Sequence, residues 1–212
     1  MRKEIVEYLL SRQSMRIYEP GEIIFSQGDA AREFYYFISG LSLTYTIFED
    51  GRERNILITW PGRVFGASTF FEGTPRRASA IAIKRCEVLT VDLVLYQDCC
   101  DVFPDFRDEM ILEISKDLGI LFDELADTSV MNADIRVGRF LCRRLANGQH
   151  NGTSEKPVLN YTQDFIAEVL GVSRVTVSQA LSRMAEQGWI STSYGRITLH
   201  DPPAIRAFSY GR

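Results

Sequence analysis

Apolar positions between residues 17 and 95 fall in short runs that are separated by glycine-containing turn signals. The turns recur about every ten residues, at Pro20-Gly21, Gly28-Asp29, Gly40, Asp50-Gly51, Pro61-Gly62 and Gly73-Thr74-Pro75. Between them lie segments rich in β-branched and aromatic residues, namely Ile23–Phe25, Phe34–Ile38, Leu41–Phe48, Asn55–Trp60, Ala78–Lys84 and Glu87–Val91. Short strands at this spacing predict an antiparallel sandwich or barrel.

The period of the apolar residues becomes helical over residues 105–128. Steps of three and four residues alternate along the series Ile111, Ile114, Leu118, Leu121 and Leu125. This spacing is that of the a/d seam of a coiled coil, so it predicts a long helix that pairs with a second copy of the chain. The same spacing also fits an amphipathic helix that lies on its own domain.

A short polar segment follows this helix and predicts a hinge at 129–134. Asn132 or Asp134 is placed to cap the next helix, which is expected at about 135–147. Residues 148–157 predict a polar loop. On the helix, Arg139 and Arg143 are candidates for phosphate contacts or for salt bridges to the strand-rich domain.

Residues 162–187 carry the most specific pattern in the chain. Thr162 is placed to cap a short helix, Gly171 stands where the chain must turn sharply, and Ser173 is placed to cap a second helix. The second helix buries its apolar residues and presents short polar and β-branched residues outwards, namely Arg174, Val175, Ser178, Gln179 and Ser182. After it, Trp189–Ser191 and Arg196–Leu199 can pair across Tyr194-Gly195 as a hairpin. A helix, a tight turn, an outward-facing polar helix and a hairpin predict a winged helix-turn-helix.

Charge is distributed unevenly along the 212 residues. Residues 1–134 hold 14 Lys/Arg and 23 Asp/Glu, whereas residues 135–212 hold 10 and 5; the balances of −9 and +5 add to the net charge of −4. A basic C-terminal third on an acidic chain indicates that this end meets a polyanion. The longest apolar runs are about five residues, and the N-terminus has acidic residues among its apolar positions. We therefore expect a soluble, cytoplasmic protein with no membrane partner.

Few side chains are available for metal or nucleophilic chemistry. The two histidines are His150 and His200, so residues 1–149 cannot supply the clustered His ligands of a cupin-like metalloenzyme. Pairings of Ser, Cys or Asp with His that would indicate catalysis are not evident. Four cysteines, at 86, 99, 100 and 142, do not form a disulfide framework. Cys99-Cys100 remains open as a redox pair or as buried spacers. We expect no enzyme and no bound metal.

At this point the chain resembles the CRP–FNR family of bacterial transcription regulators. The resemblance covers roughly residues 15–205 and rests on EPGEIIFSQGD (19–29), FYYFISG (34–40), EDGRERNILITWPGRVFG (49–66), GTPRRASA (73–80), CEV (86–88) and IAEVLGVSRVTVSQALSRM (166–184). It implies an α+β chain whose antiparallel β-roll is of the cyclic-nucleotide-binding type, a double-stranded β-helix. The expected boundaries are 1–104 for the β-roll, 105–128 for the dimer helix, 129–134 for the hinge and 135–212 for the DNA-binding domain.

The resemblance implies a homodimer that binds a palindromic site on double-stranded DNA, with RNA polymerase as a further partner if the protein activates. Base edges would be read by Arg174, Val175, Ser178 and Gln179. Phosphates would be contacted by Thr162, Gln163, Ser173, Thr176 and Arg196. Val175 departs from the Glu of the catabolite activator, and a valine here is similar to the halophenol-responsive regulators. Because valine can touch only a thymine methyl, we expect a half-site richer in A/T.

The resemblance also implies an effector site, which this sequence fits only in part. Arg76 falls on the arginine that holds a cyclic-nucleotide phosphate, but Ala67 stands where a Glu binds the ribose. The candidate effector residues are Gly66, Ala67, Arg76, Arg77, Leu118, Leu121 and Phe122. We expect a small effector other than cAMP. We expect no iron–sulfur cluster, because the N-terminus lacks the cysteine ligands, and no haem, because no His precedes position 150 and Cys86 fits a core position on its strand. A regulator without effector and a nucleotide-binding module that acts on a protein partner are the alternatives.

Overall fold

The computed structural model describes residues 1–130, 132–146, 151–153 and 156–211, with side chains described outside 123–130 and 151–153. The chain divides into two compact units, Met1–Asp123 and Glu124–Arg212. Across the described helices, none combines the length and the apolar character that crossing a membrane requires.

The first unit is built on an antiparallel sheet of six strands. In chain order the strands are β1 (Arg16–Tyr18), β2 (Ile23–Phe25), β3 (Glu33–Ile47), β4 (Glu53–Thr59), β5 (Val64–Phe65) and β6 (Ser79–Asp92). The main path of the sheet runs β1-β6-β3-β4, with β2 also paired to β6 and β5 to β3. The register places Phe37 opposite Val88 and Leu43 opposite Ile58. This is the antiparallel β-roll that the sequence predicts.

Strands β3 and β6 are longer than the segments predicted for them. The sequence divides each into two, at Gly40 and between Lys84 and Glu87, but the structure runs both through as continuous strands with irregular register at the break. Gly40 has a φ of 97° and its α-carbon lies against the backbone of Arg85. A glycine inside a strand marks a bulge as readily as a turn, which is why the pattern alone suggested a break.

Two hydrophobic clusters lie on opposite faces of β3. Alternate residues of a strand point to opposite faces, so Phe34 and Tyr36 join one cluster while Tyr35 and Phe37 join the other. The Tyr35 cluster is the aromatic interior of the β-roll, with Phe25 and Phe65 beside Tyr35 at centroid distances of 5.6 and 4.9 Å. Four helices complete the unit: α1 (Lys3–Arg12), α2 (Ala67–Glu72), α3 (Leu93–Val102) and α4 (Phe106–Val130), which extends past the unit's end.

Both members of the Cys99-Cys100 pair lie on α3 in the Phe34 cluster. They are free thiols and both are buried. Burial raises the pKa of Cys99 to about 11, so its thiol stays protonated near neutral pH. Cys99 and Cys100 therefore lie in the environment of buried core residues, the second of the two alternatives for this pair.

The link between α4 and the next helix is shorter than the predicted hinge at 129–134. Helix α4 continues to Val130, and α5 (Ala133–Ala146) begins three residues later. Met131 lies outside the described residues. Of the two candidate caps, Asn132 takes the role, because its side chain accepts a hydrogen bond from the Asp134 N–H at 3.2 Å.

The second unit packs four helices against a four-stranded sheet. Its remaining elements are β7 (Asn151–Thr153), β8 (Lys156–Leu159), α6 (Gln163–Leu170), α7 (Arg174–Glu186), β9 (Ile190–Ser193), β10 (Arg196–Leu199) and α8 (Pro202–Tyr210). The strand order is β7-β8-β10-β9. Strands β7 and β8 occupy part of the predicted polar loop 148–157, of which residues 148–150, 154 and 155 lie outside the described residues.

Candidate nucleic-acid interface and effector site

Helices α6 and α7 form the predicted helix-turn-helix. The Thr162 side chain accepts from the Phe165 N–H at 3.1 Å, and the Ser173 side chain accepts from the Thr176 N–H at 3.1 Å. Between the helices, Gly171 has a φ of 60°, a left-handed conformation that a residue with a side chain adopts only at a cost. The two predicted caps and the predicted turn glycine are therefore confirmed.

Helix α7 has one buried and one outward face. Its buried residues are Val177, Ala180, Leu181 and Met184. On the outward face Arg174, Val175 and Gln179 are exposed, with Val175 65% exposed, and Ser178 is half-buried. Val175 is therefore mostly open to solvent rather than packed in the core of its own unit.

The predicted phosphate-contacting residues lie around the starts of α6 and α7. The Arg174 Nε is 3.5 Å from Asp164 Oδ1, which places the start of α7 beside the first turn of α6. Both side chains are mostly exposed, so this ion pair contributes little stability and leaves Arg174 able to exchange partners. Thr162 and Ser173 are exposed, and Gln163 and Thr176 are half-buried.

The hairpin of β9 and β10 extends this surface as a wing. A Cβ built on Gly195, at its tip, would lie 3.8 Å from Thr162 Cγ2, so the tip adjoins the start of α6. Arg196 is exposed on the wing, and Tyr194 is fully exposed. Tyr194 was absent from the predicted contacts. The sequence predicts its exposure, because an aromatic side chain at the tip of a two-residue hairpin turn has no hydrophobic core to pack against.

Arg139 contacts the end of α8. Its Nε donates to the main-chain oxygen of Ser209 at 2.8 Å, and its guanidinium lies 4.8 Å from the centroid of the Tyr210 ring. Both partners belong to the end of α8. Arg139 therefore satisfies a carbonyl at the C-terminus of a helix within its own unit, where a cation is also favoured by the helix dipole.

Arg76, the candidate phosphate ligand, is buried in the β-roll. It is 3% exposed, and its Nη1 donates to the Gly66 carbonyl and, at 3.1 Å, to Thr69 Oγ1, while Nη2 donates to the Glu33 carbonyl. The guanidinium carbon lies 4.5 Å from the centroid of Phe25, a cation–π geometry. Burial lowers the pKa of Arg76, although an arginine remains charged at neutral pH. Its Nε is buried without a hydrogen-bond partner among the described residues.

The other candidate effector residues are dispersed. Gly66 is the N-terminal boundary residue of α2 and Ala67 is its buried first residue. Arg77 is exposed and pairs with Glu72 at 2.6 Å. On α4 three further candidates are exposed, namely Leu118, Leu121 and Phe122. The structure brings Gly66, which precedes Ala67, into contact with Arg76.

Helix α4 carries an exposed apolar stripe. Its exposed large residues are Ile111, Leu112, Leu118, Leu121 and Phe122. The predicted seam differs at Ile114, which packs with the Phe34 cluster because the inner face of α4 runs through Phe106, Met110 and Glu113. Phe122 lies one helical turn beyond Leu118 and falls on the stripe instead. The Leu125 side chain lies outside the described residues.

Arg63 fixes the inner face of α4 to the β-roll. It contacts Asp117 through Nη2, and its Nε lies 3.6 Å from Oε2 of the buried Glu113. Burial raises the pKa of Asp117, and the Arg63 contact opposes that rise. These ion pairs define which side of α4 faces its own unit. At about 100° per residue, Ile111, Leu118 and Phe122 lie about 120–160° around the helix from that side, whereas Leu121 lies about 60° from it.

Comparison with known proteins identifies a domain family in each of the two units. Residues 15–101 match the model of the cyclic nucleotide-binding domain, and residues 135–208 match the Crp-like helix-turn-helix domain. The CRP-like cAMP-activated global transcriptional regulator of Mycobacterium tuberculosis is 28% identical over 185 residues, which is 85% of this chain and 81% of that protein. The cyclic AMP receptor protein of Thermus thermophilus is 26% identical and covers 98% of this chain and 94% of that protein.

A solved structure shows the same fold. FixK2 from Bradyrhizobium japonicum superposes with a TM-score of 0.76 at 22% identity, over 91% of this chain and 95% of that one. The two matched domains coincide with the β-roll and with the unit that holds α6 and α7, and the similar proteins are regulators of transcription rather than enzymes. This protein is a member of the CRP–FNR family of DNA-binding transcription regulators.

Proposed function

We propose that the protein is a homodimer that binds an imperfect DNA palindrome through two copies of α7 and responds to a small effector other than cAMP. The observation that carries the DNA-binding part is the outward face of α7, where Arg174, Val175 and Gln179 are exposed beside the start of α6. A helix presented in this way enters the major groove with its N-terminal residues against base edges.

Each exposed residue of α7 favours a particular base. Arg174 can donate two hydrogen bonds to guanine O6 and N7, and Gln179 can pair with adenine N6 and N7. Val175 has only methyl groups to offer, which suit a thymine methyl. Ser178 accepts or donates according to its partner. The proposed half-site therefore combines one guanine contact with neighbouring A/T pairs.

Phosphate contacts would hold α7 in register on the duplex. The helix starts after Thr162 and Ser173 present backbone N–H groups, and the N-terminus of a helix favours an anion. Gln163, Thr176 and Arg196 lie on or beside the same surface and would add side-chain donors. Residues 135–212 hold an excess of five positive charges, which favours this surface for the polyanion.

The dimer would form through the exposed stripe of α4. Ile111, Leu118 and Phe122 are apolar side chains held in water on the side of α4 that faces away from the β-roll. Packing two such stripes against each other removes them from water in both copies at once, as in a parallel coiled coil. A C₂ dimer matches a palindromic site.

The proposed effector would bind near Arg76, between the β-roll and α4, as an anionic aromatic molecule. Phe25 and Tyr35 already stack on the guanidinium, and Arg76 Nε has no hydrogen-bond partner among the described groups. The ribose of a cyclic nucleotide would find Ala67, which has no acceptor, at the position of the missing carboxylate. An aromatic anion needs only the cation and apolar walls.

Replacing Arg174 with Ala tests the base-reading role. We expect the binding free energy on the specific site to weaken by about 1–3 kcal/mol and the preference at one base pair to be lost. Affinities for a selected site and for random duplex, measured by fluorescence anisotropy at one salt concentration, give the result. Arg196→Ala is the matched control, because loss of a phosphate contact lowers both affinities alike. An equal loss in Arg174→Ala would show that Arg174 contacts phosphate only.

Titration calorimetry with cAMP and cGMP tests the effector proposal. Losing the ribose-binding carboxylate removes a charge-assisted bond, which typically contributes about 1.5–3 kcal/mol, or roughly a tenfold to hundredfold loss of affinity. We expect no binding at low micromolar concentration. Low-micromolar binding that also raises the affinity for the selected DNA site would contradict the proposal and identify a cyclic nucleotide as the effector.

A further inference from the structure

Arg183 and Asp134 form a bidentate ion pair between the last turn of α7 and the first turn of α5. Arg183 Nε lies 2.6 Å from Asp134 Oδ2, and Nη2 donates to Oδ1 of the same carboxylate. Asp134 is 8% exposed, so this carboxylate is held away from water by the fold. The paired geometry fixes both the separation and the rotation of the two groups, which a single contact does not.

Arg183 lies to one side of the residues proposed to read bases. At about 100° per residue, it lies about 110° around α7 from the mean direction of Arg174, Val175, Ser178 and Gln179. Its guanidinium faces α5, and its hydrogen bonds to Asp134 raise the pKa of Arg183, so the cation is stabilised in that position. The pair therefore acts at the edge between the outward and buried faces of α7, where the Arg183 side chain is 52% exposed.

Helix α5 also approaches α7 closely at Gly138. A Cβ built on Gly138 would lie 3.3 Å from Met184 Cε and 2.1 Å from Ser209 Oγ, so α5 approaches α7 and α8 as nearly as the backbone allows. Apolar packing sets the distance between helices but is non-directional, whereas a bidentate ion pair resists rotation of α7 about its own axis. Arg136 of α5 also donates a hydrogen bond to the main-chain oxygen of Leu170, the last residue of α6, next to the turn at Gly171.

We propose that Asp134 and Arg183 are positioning residues for DNA recognition: the pair fixes the rotation of α7 so that Arg174, Val175 and Gln179 meet the base edges in register. This inference rests on the proposed reading role of α7. It predicts that breaking the pair weakens specific binding while leaving non-specific binding, which depends on phosphate charge, nearly unchanged.

The full-length Asp134→Asn variant gives the decisive comparison. We expect its affinity for a duplex selected by the wild-type protein to fall about tenfold, as for a mismatched contact, and its affinity for random duplex to stay within about twofold. Simple electrostatics predicts the opposite, because removing a negative charge from a DNA-binding unit should strengthen binding to both duplexes. Unchanged or increased affinity for the selected duplex would overturn the proposal.

Three further arms separate positioning from other effects. Glu186→Gln removes a negative charge that acts on Arg183 by Coulombic attraction but leaves the hydrogen bonds of the pair in place, and should change neither affinity by more than about twofold. The double variant Asp134→Asn/Arg183→Gln should bind the selected duplex no more weakly than either single variant, because each substitution removes the same ion pair. If Arg183 contacts phosphate instead, Arg183→Gln weakens both duplexes equally, which would also overturn the proposal.

Folding and the proposed function are controlled separately. If Asp134→Asn lowers the thermal midpoint by more than about 5 °C, Arg183→Lys replaces it, since lysine keeps the charge but cannot form the paired bonds. The same tenfold fall is then expected, and an unchanged affinity is again the contradicting result. If the wild-type protein selects no duplex from a random pool, the reading role of α7 itself fails; if it does and the variants match it, only the positioning role fails.

Discussion

Replacing Leu118 with Lys should convert the proposed dimer into monomers at low micromolar concentration. Leu118 is 53% exposed in the single chain and lies on the stripe with Ile111 and Phe122. In a two-fold dimer each copy would bury one unpaired ammonium, which costs about 3–5 kcal/mol per charge. Because two half-sites are then bound independently, affinity for the palindrome should fall at least about a hundredfold. Sedimentation velocity and anisotropy give the two results.

The matched control for this variant is Leu93→Lys. Leu93 is 55% exposed, nearly the same as Leu118, but it lies at the start of α3 and not on the stripe. This variant should remain dimeric and bind DNA as the wild type does. A Leu118→Lys protein that still sediments as a dimer, while folded by circular dichroism, would show that α4 is not the interface.

Replacing Gly40 with Ala should have the largest effect on the stability of the β-roll. The added Cβ would lie 2.2 Å from the carbonyl oxygen of Arg85 and 2.7 Å from the α-carbon of Cys86. Both obstacles are backbone atoms of β6, so no side chain can move aside. A left-handed φ of 97° adds strain for any residue with a side chain. We expect the free energy of unfolding to fall by about 4 kcal/mol or more.

Gly51→Ala separates strain from collision. Gly51 has a φ of 81°, but a Cβ there meets no heavy atom within 4 Å. It should therefore lose only about 1–2 kcal/mol. Urea unfolding followed by the fluorescence of Trp60, in a background where Trp189 is replaced by Phe, reports on the β-roll. If the two alanine variants have equal free energies of unfolding, Gly40 does not lie as close to the backbone of β6 as the structure indicates.

Local signals in the sequence predicted much of the fold. The turn glycines and the period-two segments located the strands of the β-roll, and the caps at Thr162 and Ser173 located α6 and α7. Helix α8 is not among the predicted elements, although the sequence carries a signal for its start: Asp201 caps the helix and two prolines follow in its first turn. Helix α2 has only six residues, too few for a helical period to emerge.

Tertiary contacts account for the remaining differences. The sequence places Ile114 and Leu118 on one seam, and only the ion pairs of Arg63 with Glu113 and Asp117 show which side of α4 faces the β-roll. The sequence places Arg76 at the position of a phosphate-binding arginine. It gives no sign that the Arg76 guanidinium donates to main-chain carbonyls of its own chain. The pairing of Asp134 with Arg183 joins residues 49 positions apart, so no local pattern in the sequence predicts it.

Selection of duplexes from a random pool by the purified wild-type protein, followed by sequencing, tests the central claim most directly. We expect an imperfect palindrome whose half-sites are centred about one helical turn apart, with a guanine and neighbouring A/T pairs in each half. Recovery of a single unrepeated site, or of no preferred sequence at all, would contradict it.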